Sequence, residues 1–299
     1  MLVSSKCEHL TRPGTTSRVK ASLQLRFEFD PAAGHTVMRN CRQQAPLQVV
    51  RAFALEDGAA MVHLHNVSGG LLGGDHLELV VNVAPGAAAQ VTTTGATRVY
   101  RALDQYGDTV QTNRISVAEN GLLEYVPDPI IPYSGARLRQ CTSIDLAAGA
   151  GLFWWDIFAP GREAHGELFA YERIELRTKL QVFGRWIAAE QAQLEPGKRG
   201  LATPERMGPY RYWATFYICR VGVDVKVWLE AEHHLRSVAS AVGQPGTALW
   251  GVSTLPAHGL VVRGLTVHGR DAIDGVRAIW QAAKRLLFGS EVILPRKVY

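Results

Sequence analysis

The stretch LVVNVAPGAAAQVTTT, residues 79–94, contains an apolar strand-like run, a short turn with a glycine, and a second strand-like run that ends in polar residues. The same arrangement returns in NRISVAENGLLEYVPD, residues 113–128, and in TSIDLAAGAGLFWWDIF, residues 142–158. The glycines of the three turns are 35 and then 30 residues apart. A unit of this kind cannot bury its apolar face without a neighbour, so the repeat predicts stacked units in layered, β-helix-like sheets.

A meander of ordinary hairpins also yields loosely similar strand-turn-strand units, and the sequence leaves that alternative open. Helical spacing of apolar residues is confined to the C-terminal third, in residues 232–243 and 270–289, with Asp271 as a candidate cap of the second helix. The predicted fold is therefore all-β, β-helix-like with layered sheets, followed by two C-terminal α-helices. We expect one domain over residues 1–299, with a flexible N-terminal segment at 1–19.

Composition excludes several classes of protein. The chain has 299 residues and a formal net charge of +5, but its Lys and Arg residues form no run that would mark a nucleic-acid site. No apolar leader and no stretch of about 18 apolar residues is present, so we expect a cytoplasmic protein that does not cross a membrane. Motifs of the type G-x-S-x-G and G-x-x-x-x-G-K-[ST] are absent, which argues against a serine hydrolase and a P-loop nucleotidase.

Two glycine pairs stand directly before a strand in SGGLLGGDHLELVV, residues 68–81. Glycine permits positive φ and close backbone approach, so the cluster predicts a tight loop that passes close to another layer. Asp75 follows the second pair. Its carboxylate either points into the interior or simply bonds the amides of its own turn.

Three further carboxylates follow apolar residues that read as buried strands. Asp156 follows LFWW, Glu124 follows GLL, and Glu190 follows RWIAA. An ionised carboxylate in an apolar setting must be paired, hydrated or bound to a cation, because an unpaired buried charge costs several kcal/mol. Pairing with arginine is the alternative to a metal role. Arginines available for such pairs are Arg98, Arg101, Arg137 and Arg162.

Several motifs, taken in order, resemble the UreD family of urease accessory proteins, called UreH in some organisms. They are SGGLLGGDHLEL, APGAAAQVTTTGATRVYR, LLEYVPDPIIPYSGARLR, WWDIFAPGREAHGE and the terminal FGSEVILPRKVY. The resemblance is dense over residues 20–190 and returns in about the last 25. None of these motifs is decisive alone, but five in the right order make coincidence improbable.

The resemblance implies a non-catalytic scaffold for nickel delivery to urease. Members of the family have an all-β, β-helix-like body with two C-terminal helices. They bind UreF, which recruits the GTPase UreG, and they dock onto apo-urease; the UreD–UreF–UreG complex is expected to form a dimer. An internal tunnel is implied to carry Ni²⁺, bound weakly and transiently, to the urease active site. Nucleic acid and membrane are not expected partners.

Carried over by motif, the residues of the nickel path are Asp75, Asp156 and Glu190, and Thr97 holds the hydroxyl position of the tunnel wall. Glu124 is added as a second tunnel-lining residue, because it is a carboxylate in a similar apolar setting. Three departures weaken the match. The family pattern H-P-P-G-G is HNVSGG here, W-D-[IL]-L-C-L-G-R is WDIFAPGR without the cysteine, and E-R-L-x-L, which begins at Glu190, is EQAQL. Sparse carboxylates suit an ion in transit, because a dense Cys/His cage would retain nickel.

Two other functions remain open at this point. A carbohydrate-active β-solenoid hydrolase would use Asp75, Glu124 and Asp156 as acid and base, with carboxyl groups about 5–10 Å apart in an open cleft. A nucleic-acid binder, suggested only by the basic pI of about 9.1, would need a stripe of basic residues on one surface.

Overall fold

The computed structural model describes residues 19–295, and apart from Val19 the N-terminal segment predicted to be flexible lies outside them. The strands are β1 (Lys20–Asp30), β2 (His35–Gln43), β3 (Leu47–Gln48), β4 (Ala52–Ala54), β5 (Ala60–Asn66), β6 (His76–Val83), β7 (Ala88–Thr93), β8 (Thr97–Val99), β9 (Thr109–Val117), β10 (Leu122–Tyr125), β11 (Ile130–Pro132), β12 (Arg137–Leu146), β13 (Gly151–Phe158), β14 (Arg173–Val182), β15 (Arg185–Leu194), β16 (Tyr212–Arg220), β17 (Ala248–Thr254) and β18 (Gly259–Thr266). The helices are α1 (Val225–Val242) and α2 (Gly269–Phe288).

The three sequence repeats form three stacked coils. Their first strands, β6, β9 and β12, pair in parallel in one sheet, and their second strands, β7, β10 and β13, pair in parallel in another. In a hairpin the two strands of a unit would pair with each other and run antiparallel. The layered, β-helix-like prediction is therefore confirmed, and the hairpin meander is not what these repeats form.

Two sheets face each other. The first has seven strands in the order β15-β14-β12-β9-β6-β1-β2. The second has eleven, with the path β17-β18-β16-β13-β10-β7-β5-β3 and the short strands β4, β8 and β11 beside it. Strands β2, β15, β16, β17 and β18 add to the stacked coils in antiparallel pairing.

The burial pattern follows the period of two expected for a strand that is covered on one face. In β6, Leu77, Leu79, Val81 and Val83 are buried while the residues between them are more exposed. β13 differs, because seven of its eight residues in GLFWWDIF are buried. Both of its faces are covered, one by the opposite sheet and the other by the helices.

Three apolar clusters hold these layers together. The largest lies between the two sheets and includes Leu23, Val81, Leu123 and Trp154. A second lies between the outer face of the eleven-stranded sheet and the two helices. The third, with Val99, Ile130 and Phe158, packs where β8 and β11 meet β13.

Both predicted helices are present, with different starts. α1 begins at Val225, seven residues before the predicted segment, because the Asp224 side chain accepts a hydrogen bond from the backbone N–H of Lys226 and caps it. In α2 the N-cap residue is His268, so the prediction that Asp271 caps this helix is wrong, and Asp271 lies in its first turn. α2 ends at Gly289 in the left-handed conformation with φ of 65°.

Candidate functional site

The inner face of the seven-stranded sheet carries polar side chains where a core strand would carry apolar ones. Gln111 and Asn113 lie on β9, in the same alternation as the core residues Ile115 and Val117. The Gln111 amide donates to the Asn113 side-chain oxygen at 3.3 Å, and the Asn113 amide donates to the Thr142 hydroxyl of β12 at 3.0 Å. A polar seam therefore crosses two neighbouring strands inside the protein.

A cavity of 320 Å³ opens at one end of this seam. Apolar side chains of both sheets line part of its wall, and the rest is polar, with Thr97, Gln111 and the glycine loop. Its lining residues are Leu23, Leu47, Leu64, His65, Asn66, Gly69, Gly70, Leu71, Leu77, Leu79, Thr93, Thr94, Gly95, Ala96, Thr97, Arg98, Gln111 and Tyr125. We call this space the large cavity.

A second space of 40 Å³, the small cavity, contains two of the predicted carboxylates. Asp156 reaches it from β13 and Glu190 from β15, so the opposing sheets contribute one carboxylate each. Its lining residues are Gln140, Asp156, Phe158, Leu176, Arg177, Thr178, Glu190, Ala192, Trp213, Thr215 and Tyr217. The structure therefore brings Asp156 and Glu190 together, although 34 positions of sequence separate them.

The carboxylate of Asp156 has neutral hydrogen-bond donors. The Gln140 amide donates to one oxygen at 3.2 Å, and the Trp154 indole N–H donates to the other at 3.2 Å. Burial raises the pKa of the Asp156 carboxyl, the two donors oppose that rise, and the nearby Glu190 carboxylate adds to it. Among the described residues no cationic side chain forms a salt bridge with Asp156. It is a partly buried acid whose charge a cation could stabilise.

Glu190 is held differently. The Arg263 guanidinium contacts one carboxylate oxygen at 2.8 Å, and the Tyr217 hydroxyl donates to the other at 2.6 Å. Burial raises the pKa of Tyr217, and the adjacent Glu190 carboxylate raises it further, so this hydroxyl stays protonated and remains a donor. The arginine contact is the pairing that the sequence left open for such carboxylates.

The glycine pairs bring the loop before β6 close to neighbouring backbone. A Cβ atom on Gly70 would lie 2.6 Å from the Arg98 carbonyl oxygen, and one on Gly73 would lie 2.7 Å from the Ala102 Cα. Between them, Leu71 donates its backbone N–H to the Arg98 carbonyl at 2.8 Å. The close approach predicted for this loop is therefore present, and it places the loop against the large cavity.

Asp75 is buried, with 1% of its surface exposed, and it closes the turn that ends this loop. Its carboxylate accepts the Leu72 backbone N–H at 2.9 Å, and its own N–H donates to the Leu72 carbonyl at 3.0 Å. These contacts are the turn bonding that the sequence offered as an alternative to an interior role. Asp75 is not among the residues that line the large or the small cavity.

Glu124 points away from the space between the sheets. Its neighbours Leu123 and Tyr125 face the inner core, so Glu124 faces α2 on the other side of β10. The Lys284 ammonium lies 3.1 Å from its carboxylate, and the Trp280 indole donates to it at 3.1 Å. Burial raises the pKa of Glu124, and Lys284 opposes that rise. It lines neither cavity, so its contacts are those of a structural ion pair.

The two cavities are neighbours along the polar seam. Gln111, which lines the large cavity, is paired in register with Gln140, which lines the small one. On the opposite sheet, the Tyr125 ring at the large cavity stacks on Trp154 at 3.9 Å between centroids, and Trp154 donates to Asp156. Polar or aromatic groups thus connect the two spaces on both walls.

Sequence reasoning identified the carboxylates but missed their surroundings. Gln111, Gln140 and Tyr217 were not selected, although both glutamines interrupt the apolar alternation of β9 and β12 at inward positions. Polar residues in phase with a buried face are the pattern that could have identified them. No group of three or more His, Cys, Asp or Glu residues within residues 19–295 is placed to hold a metal ion.

The family was established by comparison with known proteins. The family model for UreD urease accessory protein matches residues 19–299. The chain belongs to the UreD urease accessory protein family. Among relatives, it is 44% identical to a urease accessory protein UreD of Herpetosiphon aurantiacus, over 94% of this chain and 97% of that protein. Similarity to UreD 2 of Brucella anthropi is 32% identity over 92% of this chain and 96% of the relative.

A third UreD relative, from Klebsiella pneumoniae, is 28% identical over 93% of this chain and 94% of its own length. Similarity to the UreD family thus extends over nearly the whole chain, including the stretch between residue 190 and the last 25 where the motifs gave no resemblance. Within the described part of the chain, no helix is long and apolar enough to cross a membrane.

Proposed function

We propose that this chain is the cytoplasmic scaffold of a nickel-delivery complex for urease, with no catalytic activity of its own. It binds UreF, recruits UreG through UreF, docks onto apo-urease and passes Ni²⁺ through its interior. Two UreD–UreF–UreG units form the dimeric assembly. Membership of the UreD family supports the role in urease maturation.

The observation that supports the nickel path is the small cavity, which Asp156 and Glu190 line from opposite sheets. Carboxylate, amide and hydroxyl oxygens and water suit a divalent ion that must be released again. Asp156 has only neutral donors among the contacts described above, so a passing cation would offset the unfavourable burial of its charge. Ni²⁺ is cargo in this scheme and not a resident cofactor.

The path runs along the polar seam. Ions enter the large cavity past Thr97, cross between Gln111 and Gln140, and reach Asp156 and then Glu190. Asp75 shapes the glycine loop beside the entrance through its turn contacts. Glu124 is left out of the path because it faces α2 and pairs with Lys284.

The test uses the full chain with its cognate UreF, UreG and apo-urease. Wild-type protein should co-elute with UreF and UreG on size exclusion and should bind nickel weakly. The Asp156→Asn/Glu190→Gln variant should co-elute equally well but bind less nickel and activate urease at a rate lower by about tenfold or more. Normal activation by this variant would contradict the path, and failure of the wild type to co-elute would contradict the scaffold.

The alternative hydrolase is not favoured by the placement of its three carboxylates. Asp156 lies in the small cavity between the sheets, Glu124 is sealed under α2, and Asp75 bonds its own turn. A glycosidase requires an acid and a base that flank one substrate bond in an accessible cleft. These residues do not share such a cleft.

The nucleic-acid alternative is also not favoured. Arginines on the outer face of the seven-stranded sheet pair with acidic residues of neighbouring strands, as Arg114 does with Glu78 and Arg139 with Glu175. A phosphate backbone needs basic side chains that are free to bind it. This face instead carries alternating charge.

A further inference from the structure

We propose that Arg263 is a displaceable counter-ion at the mouth of the small cavity, and that it keeps Glu190 from retaining the nickel ion that passes. This inference rests on the nickel path proposed above and adds a residue that sets how quickly the ion leaves. Arg263 lies on β18 and reaches across to Glu190 on β15, so its guanidinium bridges the two sheets.

The strand register places Arg263 level with Asp156. Asp156 of β13 is paired with Thr215 of β16, and Thr215 is paired with Arg263 of β18. Paired residues on neighbouring strands project from the same face of a sheet. The three side chains therefore form a row, in which Asp156 and Thr215 line the small cavity and Arg263 lies beyond them.

The ion pair is accessible to solvent. The Glu190 side chain, on the opposite sheet, is 24% exposed and the Arg263 side chain is 59% exposed, whereas the Asp156 carboxyl accepts hydrogen bonds from Gln140 and Trp154. The ion pair is thus at the solvent side of the small cavity. An ion that has passed Asp156 reaches Glu190 and its guanidinium partner next.

The positive charge of Arg263 determines how tightly an ion would bind at Glu190. With Arg263 removed, the small cavity would present two carboxylates from opposite sheets, which together bind a divalent ion more tightly than either alone. The guanidinium neutralises Glu190, and because arginine does not lose its proton in proteins, it does so at every working pH. A nickel ion at Glu190 must therefore displace Arg263, and the returning guanidinium favours release.

Nickel affinity and release test this proposal directly. The full chain is titrated with Ni²⁺ by calorimetry, and release to a colorimetric chelator is followed by stopped flow. Arg263→Gln should bind nickel about tenfold more tightly than wild type and release it correspondingly more slowly, because a nearby positive charge has been removed. Arg263→Lys keeps the charge and should stay within about twofold of wild type.

The chain offers a matched control in Arg211. Its guanidinium contacts Glu163 at 2.7 Å, and the Tyr212 hydroxyl donates to the other Glu163 oxygen at 2.6 Å, as in the Arg263 pair. This cluster lines neither cavity. Arg211→Gln should therefore leave nickel affinity and release unchanged, which separates the local effect from the general loss of one positive charge.

Two further variants separate this proposal from the nickel path itself. If Asp156→Asn and Glu190→Gln weaken nickel binding while Arg263→Gln leaves affinity and release unchanged, the counter-ion role is wrong and the path stands. If neither carboxylate variant changes nickel binding, both are wrong. Circular dichroism and thermal unfolding check that each variant is folded, and Arg263→Met provides a second neutral replacement should Arg263→Gln be unstable.

Discussion

Gln111 on β9 and Gln140 on β12 are paired in register, yet each lines a different cavity. Within residues 19–295, the side-chain oxygens of both glutamines are buried without a hydrogen-bond partner. Buried polar oxygens in that state destabilise a protein unless water or an ion visits them. In the nickel path proposed above, a hydrated ion would cross from one cavity to the other at this pair.

Replacing Gln111 by leucine should slow nickel transfer without destabilising the fold. The substitution removes a buried oxygen with no partner, but it also removes the hydrogen bond that the Gln111 amide donates to Asn113, so the two effects oppose each other and we expect thermal stability to change little. The rate of urease activation by the reconstituted complex should fall by about tenfold. Gln193→Leu, at an exposed position of β15, is the control. Unchanged activation by Gln111→Leu would argue against a route along this seam.

Nickel binding should weaken as the pH is lowered. Burial raises the pKa of Asp156, so its proton competes with the metal at a higher pH than it would at an exposed aspartate. Below that pKa the apparent affinity should fall by up to about tenfold per pH unit, because each bound ion displaces one proton. Calorimetry over a pH series measures this slope. Asp156→Asn should flatten it, and an equally steep slope in that variant would contradict the assignment.

Asp156 should also make stability depend on pH in the absence of metal. Because its pKa is raised in the folded state, its contribution to stability is complete below the unfolded pKa and is lost as the pH rises through the folded pKa. Asp156→Asn cannot titrate at this position. The free energy of unfolding of the variant minus that of the wild type should therefore increase as the pH rises. Urea denaturation in metal-free buffer at several pH values gives this difference. If this difference decreased with rising pH, the pKa of Asp156 in the folded state would not be raised.

Removing Lys284 should strongly destabilise the protein. Lys284 is 1% exposed and lies 3.1 Å from the buried Glu124 carboxylate, so Lys284→Met leaves that charge unpaired and should cost about 3–5 kcal/mol. Adding Glu124→Gln to this variant should recover more than half of the loss, as measured by urea unfolding. Nickel affinity should be the same in wild type and in the double variant. A large loss of affinity in the double variant would place Glu124 on the path after all.

A methyl group at Gly73 should be poorly tolerated. Its Cβ would lie 2.7 Å from the Ala102 Cα, which is backbone and cannot move aside without shifting the loop between β8 and β9. Gly73→Ala should therefore lower the free energy of unfolding by about 1–3 kcal/mol. Gly197→Ala is the matched control, because nothing lies within 4 Å of a Cβ at that position. Equal stability of the two variants would show that the loop has room to relax.

The fold could be predicted from the sequence because the repeat units are recognisable in the order of apolar, turn and polar residues. Strand, turn and strand recur in 79–94, 113–128 and 142–158, and stacking is how such units bury their apolar faces. The start of α1 was missed because Val225, Val227 and Leu229 recur at every second position, as in a strand, although all three are exposed on the helix. The Asp224 cap and the packing of Trp228 between the sheet and the helices favour the helix instead.

The candidate site was harder to predict, and Glu124 shows the reason. Glu124 and Asp156 both follow apolar residues on equivalent strands, but Glu124 is paired in register with Phe153, an odd number of residues before Asp156. In a strand, that parity places the two carboxylates on opposite faces. Because α2 covers the outer face, both residues are enclosed, so hydrophobic surroundings alone could not separate the ion pair from the acid in the cavity.

The parallel stacking of the coils sets the length of the proposed nickel path. From Leu77 and Leu79 on β6 to Glu190 on β15 the route crosses β9, β12 and β14, one strand at a time. Neighbouring strands are about 4.8 Å apart, so these four steps span about 19 Å. Longer loops would change the rim of the molecule but not this distance. Only the gain or loss of a complete coil would change this distance. The length of the path can therefore change only in steps of one strand spacing.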